Sequence, residues 1–215
     1  MKIKWLGHAC FLITSEAGIR IITDPYATKE DLTYGEITES ADIVTVSHEH
    51  GDHNNVAAVQ GKPEVVRGIG TFKVKGIEFK GVPSYHDRAE GSQRGSNTMF
   101  CIEVDGIRVC HLGDLGHLLS DEQVAELGSI DMLLIPVGGY FTIDAKVATQ
   151  VCNHLNPKVI IPMHFKTDKC GFPIAGVDDF LKGKEGVTRL DASEVEFKQE
   201  ELPTGTQIIV LKSSL

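Results

Sequence analysis

The feature that most constrains this chain is the heptapeptide SHEHGDH at residues 47–53, which places three imidazoles and a carboxylate within six residues. The four side chains are those of His48, His50, Asp52 and His53. Together they form a mixed nitrogen and oxygen set that suits zinc, iron or manganese. The alternative is a solvated polar loop, but burying several unliganded imidazoles together would be costly. The heptapeptide therefore predicts a metal site.

The heptapeptide follows an apolar run, ADIVTVS at residues 41–47, that predicts a strand. A loop at the end of a strand can gather ligands over a rigid sheet. Successive residues of such a loop can point in different directions. His48 and His50 could then serve one metal ion while Asp52 and His53 serve its neighbour.

Apolar and β-branched runs separated by glycine-bounded turns predict further strands in the first half of the chain. They lie at residues 3–6, 9–14, 19–23, 65–66, 72–74 and 77–82. The first three predict an antiparallel meander, and residues 54–60 predict a short helix.

The second half of the chain predicts strands interrupted by helices. A hairpin is expected from strands 98–104 and 107–112 around Asp105-Gly106. Capping residues and apolar spacing predict helices at 120–127, 144–155 and 177–181. Continuous apolar runs predict buried strands at 132–137 and 159–163, and a closing strand is expected at 207–211. We expect two mixed sheets packed face to face, one from each half, with helices outside. No linker-like tract interrupts the chain, so we expect one domain over residues 1–215.

Composition excludes several classes of function. The chain of 215 residues carries a net charge of -9, which disfavours a nucleic-acid partner. No run approaches the roughly 20 apolar residues of a membrane span, and the N-terminus does not resemble a signal peptide. Five widely spaced cysteines, without a C-x-x-C pair, favour reduced thiols in the cytoplasm. We expect a cytoplasmic protein with a small-molecule substrate, and homo-oligomer formation stays open.

The H-x-H-x-D-H pattern of the heptapeptide resembles the signature of the metallo-β-lactamase superfamily. Other motifs of that family follow in the expected order over nearly the whole chain: Thr23-Asp24-Pro25, Pro83-Ser84-Tyr85-His86, Leu112-Gly113-Asp114 and Ile161-Pro162-Met163-His164. The resemblance implies an α/β fold, the four-layer αββα sandwich, with two mixed β-sheets face to face and helices outside. It also implies a metal-dependent hydrolase.

Carried over residue by residue, the resemblance implies two metal sites that share Asp114. The first would use His48, His50 and His86, and the second would use Asp52, His53 and His164. Two divalent ions are implied, with Zn²⁺ favoured and Mn²⁺ or Fe²⁺ as alternatives. A hydroxide bridging the ions would attack the substrate, and Asp52 would orient the attacking water or accept its proton. Asp24 would support the ligand loop from behind the ligands.

Leu6-Gly7-His8-Ala9-Cys10, followed by Phe11, resembles the opening of a lactonase-like branch related to L-ascorbate-6-phosphate lactonase. His8 is accordingly placed near the active site as a supporting residue, with a structural turn histidine as the alternative. Tyr140 departs from that branch, in which a histidine or small residue is expected.

Substrate contacts are assigned to Tyr140, Asn97 and Lys166. Arg88, Arg94 and Lys169 are further candidates for binding a phosphate or carboxylate. For each of these cations, a solvated loop position is the alternative. The sequence does not decide whether His111 or His117 lines the site.

The expected activity is hydrolysis of an ester-like bond in a small molecule, either a lactone or a phosphodiester or cyclic phosphate. A non-heme iron redox enzyme of the same fold is one alternative, but relatives of that kind usually have an acidic residue at the position of His50. A metal-stabilised binding module is another alternative, and it would be expected to lack some of the ligands.

Overall fold

The computed structural model describes residues 1–215, and its strands form two mixed β-sheets. The first sheet has the spatial order β13-β1-β2-β3-β4-β5. Its strands are β1 (Lys2–Gly7), β2 (Cys10–Thr14), β3 (Arg20–Thr23), β4 (Ile43–Val46), β5 (Glu64–Arg67) and β13 (Glu194–Glu196). Strands β1, β2 and β3 pair antiparallel, so the predicted meander is confirmed.

The second sheet has the spatial order β12-β14-β11-β10-β9-β8-β7-β6. Its strands are β6 (Gly70–Val74), β7 (Ile77–Tyr85), β8 (Ser96–Val104), β9 (Ile107–His111), β10 (Met132–Pro136), β11 (Val159–Met163), β12 (Val187–Arg189) and β14 (Gln207–Val210). Strands β8 and β9 form the predicted hairpin. Strands β9, β10, β11 and β14 run parallel to one another. The continuous apolar runs of β10 and β11 are buried as expected.

The expectation that each half of the chain supplies one sheet is corrected in two places. The chain passes to the second sheet between Arg67 and Gly70, well before its midpoint, and β13 returns to pair with β1. Strands β12 and β13 have only three residues each and are largely polar, so no periodic pattern marks them in the sequence. Their pairing partners, rather than their own residues, make them strands.

Alternation along the first sheet produces two apolar faces. Phe11 and Ile13 on β2 belong to the core that the two sheets share, whereas Leu12 between them belongs to a separate cluster on the other face. That cluster includes Tyr26 and Tyr34, which come from the irregular segment between β3 and β4. The outer face of the first sheet is therefore covered mainly by irregular chain.

Three α-helices are present: α1 (Asp121–Leu127), α2 (Ala145–Leu155) and α3 (Val177–Leu181). Ser120 caps α1 through a capping box, and the Asp144 side chain accepts a hydrogen bond from Val147 N at the start of α2. Helix α2 packs against β10 and buries Val151 in the main hydrophobic cluster. The expected α/β sandwich of two mixed sheets is confirmed, with the α-helices on the second sheet and irregular chain over the outer face of the first.

The helix predicted at residues 54–60 is reduced to a single 3₁₀ turn at Val56–Ala58. None of its residues is buried and no side chain caps it, so neither packing nor a cap extends it. None of the protein's helices has the length and apolarity that crossing a lipid bilayer demands.

Candidate metal centre

The histidines and aspartates of the sequence motifs follow directly after strands that end at the same edge of the two sheets. Strands β3 and β4 are parallel and lead into Asp24 and His48. In the second sheet β9 and β11 are both parallel to β10 and lead into Asp114 and His164. Strand β7 is antiparallel to β8, which is antiparallel to β9, so β7 delivers His86 to this edge too.

Asp114 lies at the centre of this group. Its Oδ2 atom lies 3.1 Å from His86 Nε2, 3.2 Å from His53 Nε2, 3.4 Å from His164 Nε2 and 3.9 Å from His48 Nε2. Two ligand atoms of one tetrahedral zinc ion, each bonded at about 2.1 Å, lie about 3.4 Å apart. The spacing around Asp114 thus suits donors that share a metal ion.

Besides a set formed by Asp24, His48 and His53, the structure brings the donors together in two groups that both adjoin Asp114 Oδ2. One contains His48, His50 and His86. The other contains His8, Asp52, His53 and His164. Within each group all the donor atoms lie within 4.8 Å of one another. These are the two sets that the family resemblance implies, with His8 added to the second.

His8 is almost completely buried in a left-handed backbone conformation, with φ of 53°. Its Nε2 atom lies 3.4 Å from Asp52 Oδ2, and its ring centroid lies 4.1 Å from that of His164. Neither ring nitrogen has a hydrogen-bond partner. His8 therefore lies among the clustered donors, near the site where the sequence placed it as a supporting residue.

Asp24 orients the rings of His53 and His48 through their Nδ1 atoms, directly for His53 and through Ser47 for His48. Its Oδ1 accepts a hydrogen bond from Ser47 N at 2.8 Å, and its Oδ2 lies 3.0 Å from His53 Nδ1. The Ser47 hydroxyl donates to Asp24 Oδ2 and lies 2.9 Å from His48 Nδ1. The Nε2 atoms of His48 and His53 are thereby left facing Asp114. A carboxylate behind a histidine commonly sets the orientation of a metal-binding ring.

The protonation states favour cation binding. Burial lowers the pKa of His8 and of His48 to about 3, so both rings are neutral at pH 7. Burial would raise the pKa of the Asp114 carboxyl, but His164 and His53 hold this pKa well below its usual range. Burial would likewise lower the pKa of His53, but Asp114 and Asp24 raise it well above its ordinary value. Neutral imidazoles around ionised carboxylates are the form that metals bind, and a bound cation would displace the proton that these carboxylates hold on His53.

Several buried polar atoms of the cluster have no hydrogen-bond partner: both ring nitrogens of His8, Nε2 of His48 and His53, Nδ1 of His86 and His164, and Oδ1 of Asp114. Leaving buried polar atoms unsatisfied costs about 1–3 kcal/mol each. Donors concentrated in this way, together with their nitrogen and oxygen chemistry, fit the binding of divalent metal ions.

The backbone at Asp114 is positioned by Asn97 and Gly113. Asn97 is buried, and its Oδ1 accepts a hydrogen bond from Asp114 N at 3.0 Å. Its Nδ2 donates to Leu112 O and to Ser84 Oγ. Asn97 therefore fixes the backbone of Asp114. Its amide Nδ2, which could have donated hydrogen bonds to a substrate, is already bound to Leu112 O and Ser84 Oγ.

Replacing Gly113 with alanine is expected to destabilise the protein. Gly113 has φ of 55°, and an added Cβ would overlap with Asn97 Oδ1 and lie 2.6 Å from Ser47 Cβ. A non-glycine residue in the left-handed region costs about 1–3 kcal/mol, before any overlap is relieved. Urea unfolding should show a loss of at least this size. Gly205→Ala is the control, because it has no neighbour within 4 Å and no positive φ. Equal stability of the two variants would contradict this account.

A cleft of about 310 Å³ opens onto the cluster. It is lined by Lys29, His50, Asp52, His86, Gln93, Arg94, Asp114, Phe141, His164 and Phe172. Arg94 was a sequence candidate. Lys29, Phe141 and Phe172 were not recognised, because they lie in irregular segments where no motif or periodicity singles them out.

None of the three predicted substrate contacts lines this cleft, and Asn97 is instead bound to the backbone of Asp114. Lys166 Nζ donates to Phe172 O at 2.8 Å and so supports the loop that carries Phe172. Tyr140 is 65% exposed and lines a neighbouring cavity with Arg88 and Arg94.

The remaining histidines, His111, His117 and His154, lie outside the groups of clustered donors. His111 is buried, with Nε2 2.8 Å from Ala9 O, and its Nδ1 accepts a hydrogen bond from Gly113 N. His117 Nε2 accepts a hydrogen bond from Tyr85 N. His154 is exposed in the last turn of α2.

A larger cavity of about 480 Å³ lies elsewhere, beside Trp5 and Phe165, and contains none of the clustered donors.

Comparison with known proteins identifies the family. The family model described as the β-lactamase superfamily domain matches residues 2–164. A UPF0173 metal-dependent hydrolase of Carboxydothermus hydrogenoformans is 32% identical over 207 residues, covering 83% of this chain and 88% of the relative. One of Methanoculleus marisnigri is 33% identical over 192 residues, covering 78% of this chain and 82% of the relative.

Solved structures agree with this comparison. A Thermotoga maritima protein assigned to the Zn-dependent hydrolases of the metallo-β-lactamase superfamily superposes with a TM-score of 0.80 and 41% identity, covering 98% of this chain and 97% of that one. The shared fold, the matching family model and the His/Asp cluster able to bind metal lead to one assignment. The chain belongs to the metal-dependent hydrolases of the metallo-β-lactamase superfamily.

Proposed function

We propose that this protein is a dinuclear hydrolase that cleaves an ester-like bond in a small molecule, either a lactone or a phosphodiester or cyclic phosphate. The observation that carries the proposal is that two groups of donors each place two imidazole nitrogens within 3.9 Å of Asp114 Oδ2. His48, His50 and His86 would hold one metal ion. Asp52, His53 and His164 would hold the other, and Asp114 would contact both.

Bound divalent ions would lower the pKa of a water molecule toward neutrality and polarise the bond to be cleaved. Asp52 is the residue best placed to orient this water and accept its proton. Its side chain is 17% exposed, lines the cleft and lies beside His8, whose Nε2 is 3.4 Å away. Burial would raise the pKa of the Asp52 carboxyl, but His8 and His53 hold this pKa far below its usual range. Asp52 is therefore ionised at neutral pH, the form that can bind a cation and accept a hydrogen bond from the attacking water.

The other residues position these groups. Asp24 and Ser47 fix the rings of His48 and His53, while Asn97 fixes the backbone of Asp114. Arrangements of this kind keep donors oriented before a ligand arrives, which lowers the cost of binding it. The donor set accepts Zn²⁺, Mn²⁺ or Fe²⁺, and we propose Zn²⁺ as the native ion.

The test combines metal analysis with a substrate panel. Protein purified without chelator should contain about two metal ions per chain by elemental analysis. The reconstituted enzyme is then assayed with lactones, cyclic phosphates and bis(p-nitrophenyl) phosphate, and hydrolysis of one class identifies the bond. An active sample with metal near zero would overturn the dinuclear assignment. A fully loaded protein that hydrolyses no member of the panel would overturn the proposed reaction.

A further inference from the structure

Arg94 occupies an unusual position at the mouth of the metal centre. Its side chain lines the cleft that opens onto the donors and also two neighbouring cavities of about 410 and 340 Å³. Its guanidinium forms no ion pair with any carboxylate, in contrast to Arg67, which pairs with Glu49 nearby. A guanidinium without a carboxylate partner at the junction of three cavities is available to an anionic ligand.

The Arg94 guanidinium lies over an aromatic ring, and the backbone that carries it is anchored by Asp87. Its Cζ atom lies 5.5 Å from the ring centroid of Phe141, a distance at which the ring face attracts the cation. On the backbone, Asp87 accepts hydrogen bonds from Arg94 N at 2.7 Å and Gln93 N at 3.0 Å. Asp87 also accepts from Ala89 N and Gly91 N, which closes the loop. Stacking against a ring leaves the planar N–H donors of an arginine free to bind a carboxylate or phosphate.

Apolar surface adjoins this cation. The rings of Phe141 and Phe172 meet edge to face, with centroids 5.5 Å apart. Both rings are only partly buried and both line the cleft. Lys29 completes the wall, with its Nζ 5.3 Å from the Phe172 centroid and 3.5 Å from Asp52 Oδ1. One wall of the cleft is therefore formed by two aromatic rings in contact, with the Arg94 guanidinium beside one ring and the Lys29 ammonium beside the other.

We propose that the substrate is an organic anion with an apolar, planar part. Its anionic group, a carboxylate or a phosphate distinct from the bond that is cleaved, binds Arg94. Its apolar part packs against Phe141 and Phe172, and Lys29 adds positive potential on the far side. This inference rests on the proposed function, because it takes the Asp114 cluster as the place where the bond is broken.

Binding of small probes to the metal-loaded protein tests the inference without requiring turnover. The probes are phenylacetate, benzylphosphonate and neutral phenylacetamide, measured by isothermal titration calorimetry. We expect at least one anion to bind tenfold or more tightly than the amide, and the tighter anion identifies the charged group of the substrate. Arg94→Gln should weaken anion binding by about 10- to 100-fold and leave amide binding unchanged.

Arg88→Gln is the matched control. Arg88 lies on the same loop but is 70% exposed, lies 3.7 Å from Asp144 and does not line the cleft. Its replacement should change anion binding by less than twofold. Equal losses in the two variants, or no loss in Arg94→Gln, would overturn the inference, because the anions would then bind through general charge or through the metal alone.

Steady-state kinetics distinguishes the proposed anion site at Arg94 from the proposed hydrolytic activity. Whichever ester class is hydrolysed, members with and without an added carboxylate are compared. Arg94→Gln should raise KM only for the member with the added carboxylate, with kcat nearly unchanged. Hydrolysis without any preference for charge would overturn the inference and leave the proposed function intact. Charge-dependent binding without any hydrolysis would overturn the proposed function instead.

Discussion

Replacing Asp114 with asparagine is expected to lower the metal content from about two ions per chain to fewer than one. Asp114 is almost completely buried, and its Oδ2 lies within 3.9 Å of imidazole nitrogens from both donor groups. A neutral amide has the same shape but supplies no negative charge to either ion. Elemental analysis after gel filtration measures the loss, and hydrolysis should fall below detection with it.

Asp121→Asn provides the control for metal content. Asp121 is exposed in the first turn of α1, away from the cluster, so this variant should keep the wild-type content. Circular dichroism of both variants should match that of the wild type, since asparagine preserves the volume of aspartate. An Asp114→Asn protein that retains two ions per chain would show that Asp114 does not contribute to holding them.

Replacing Asp52 with asparagine is expected to reduce kcat by at least about 100-fold while the fold survives, as expected for removal of a general base. Asp52 lies in the loop after β4, and its side chain is partly exposed in the cleft. The amide cannot accept a proton from the attacking water. Initial rates at saturating substrate and saturating metal separate this loss from weaker metal binding.

Glu49→Gln is a control within the same heptapeptide. The Glu49 side chain is 71% exposed and pairs with Arg67, so it does not face the donors. Its variant should retain nearly full kcat. An undiminished rate in Asp52→Asn would contradict the proposed role, and a similar loss in both variants would indicate a general disturbance of the loop.

The sequence by itself indicated the family, the positions of most strands along the chain and the motif residues that meet around Asp114. This was achievable because the motif residues lie immediately after apolar strands, and parallel strands bring the residues at their carboxyl ends to one edge of a sheet. Local alternation also predicted the β1 to β3 meander and the β8–β9 hairpin. Patterns of this kind act over a few residues and can be recognised without knowledge of the rest of the chain.

Only the tertiary structure decided which side chains beyond the motifs reach the cleft. Asn97 supports Asp114 from below, and Lys166 supports the loop of Phe172, although the sequence suggested substrate contacts for both. His8 comes from the turn after β1, yet it lies beside Asp52 and His164. These positions depend on packing between segments far apart in the chain, which no local pattern encodes.

Packing between distant segments also decided which residues form the wall of the cleft and which strands belong to the first sheet. Lys29, Phe141 and Phe172 come from three separate loops and meet only because the two sheets pack together. Strand β13 joins the first sheet because β1 has a free edge for it to pair with. The local sequence therefore specified the metal-binding chemistry, while long-range packing specified the surface on which a substrate would be recognised.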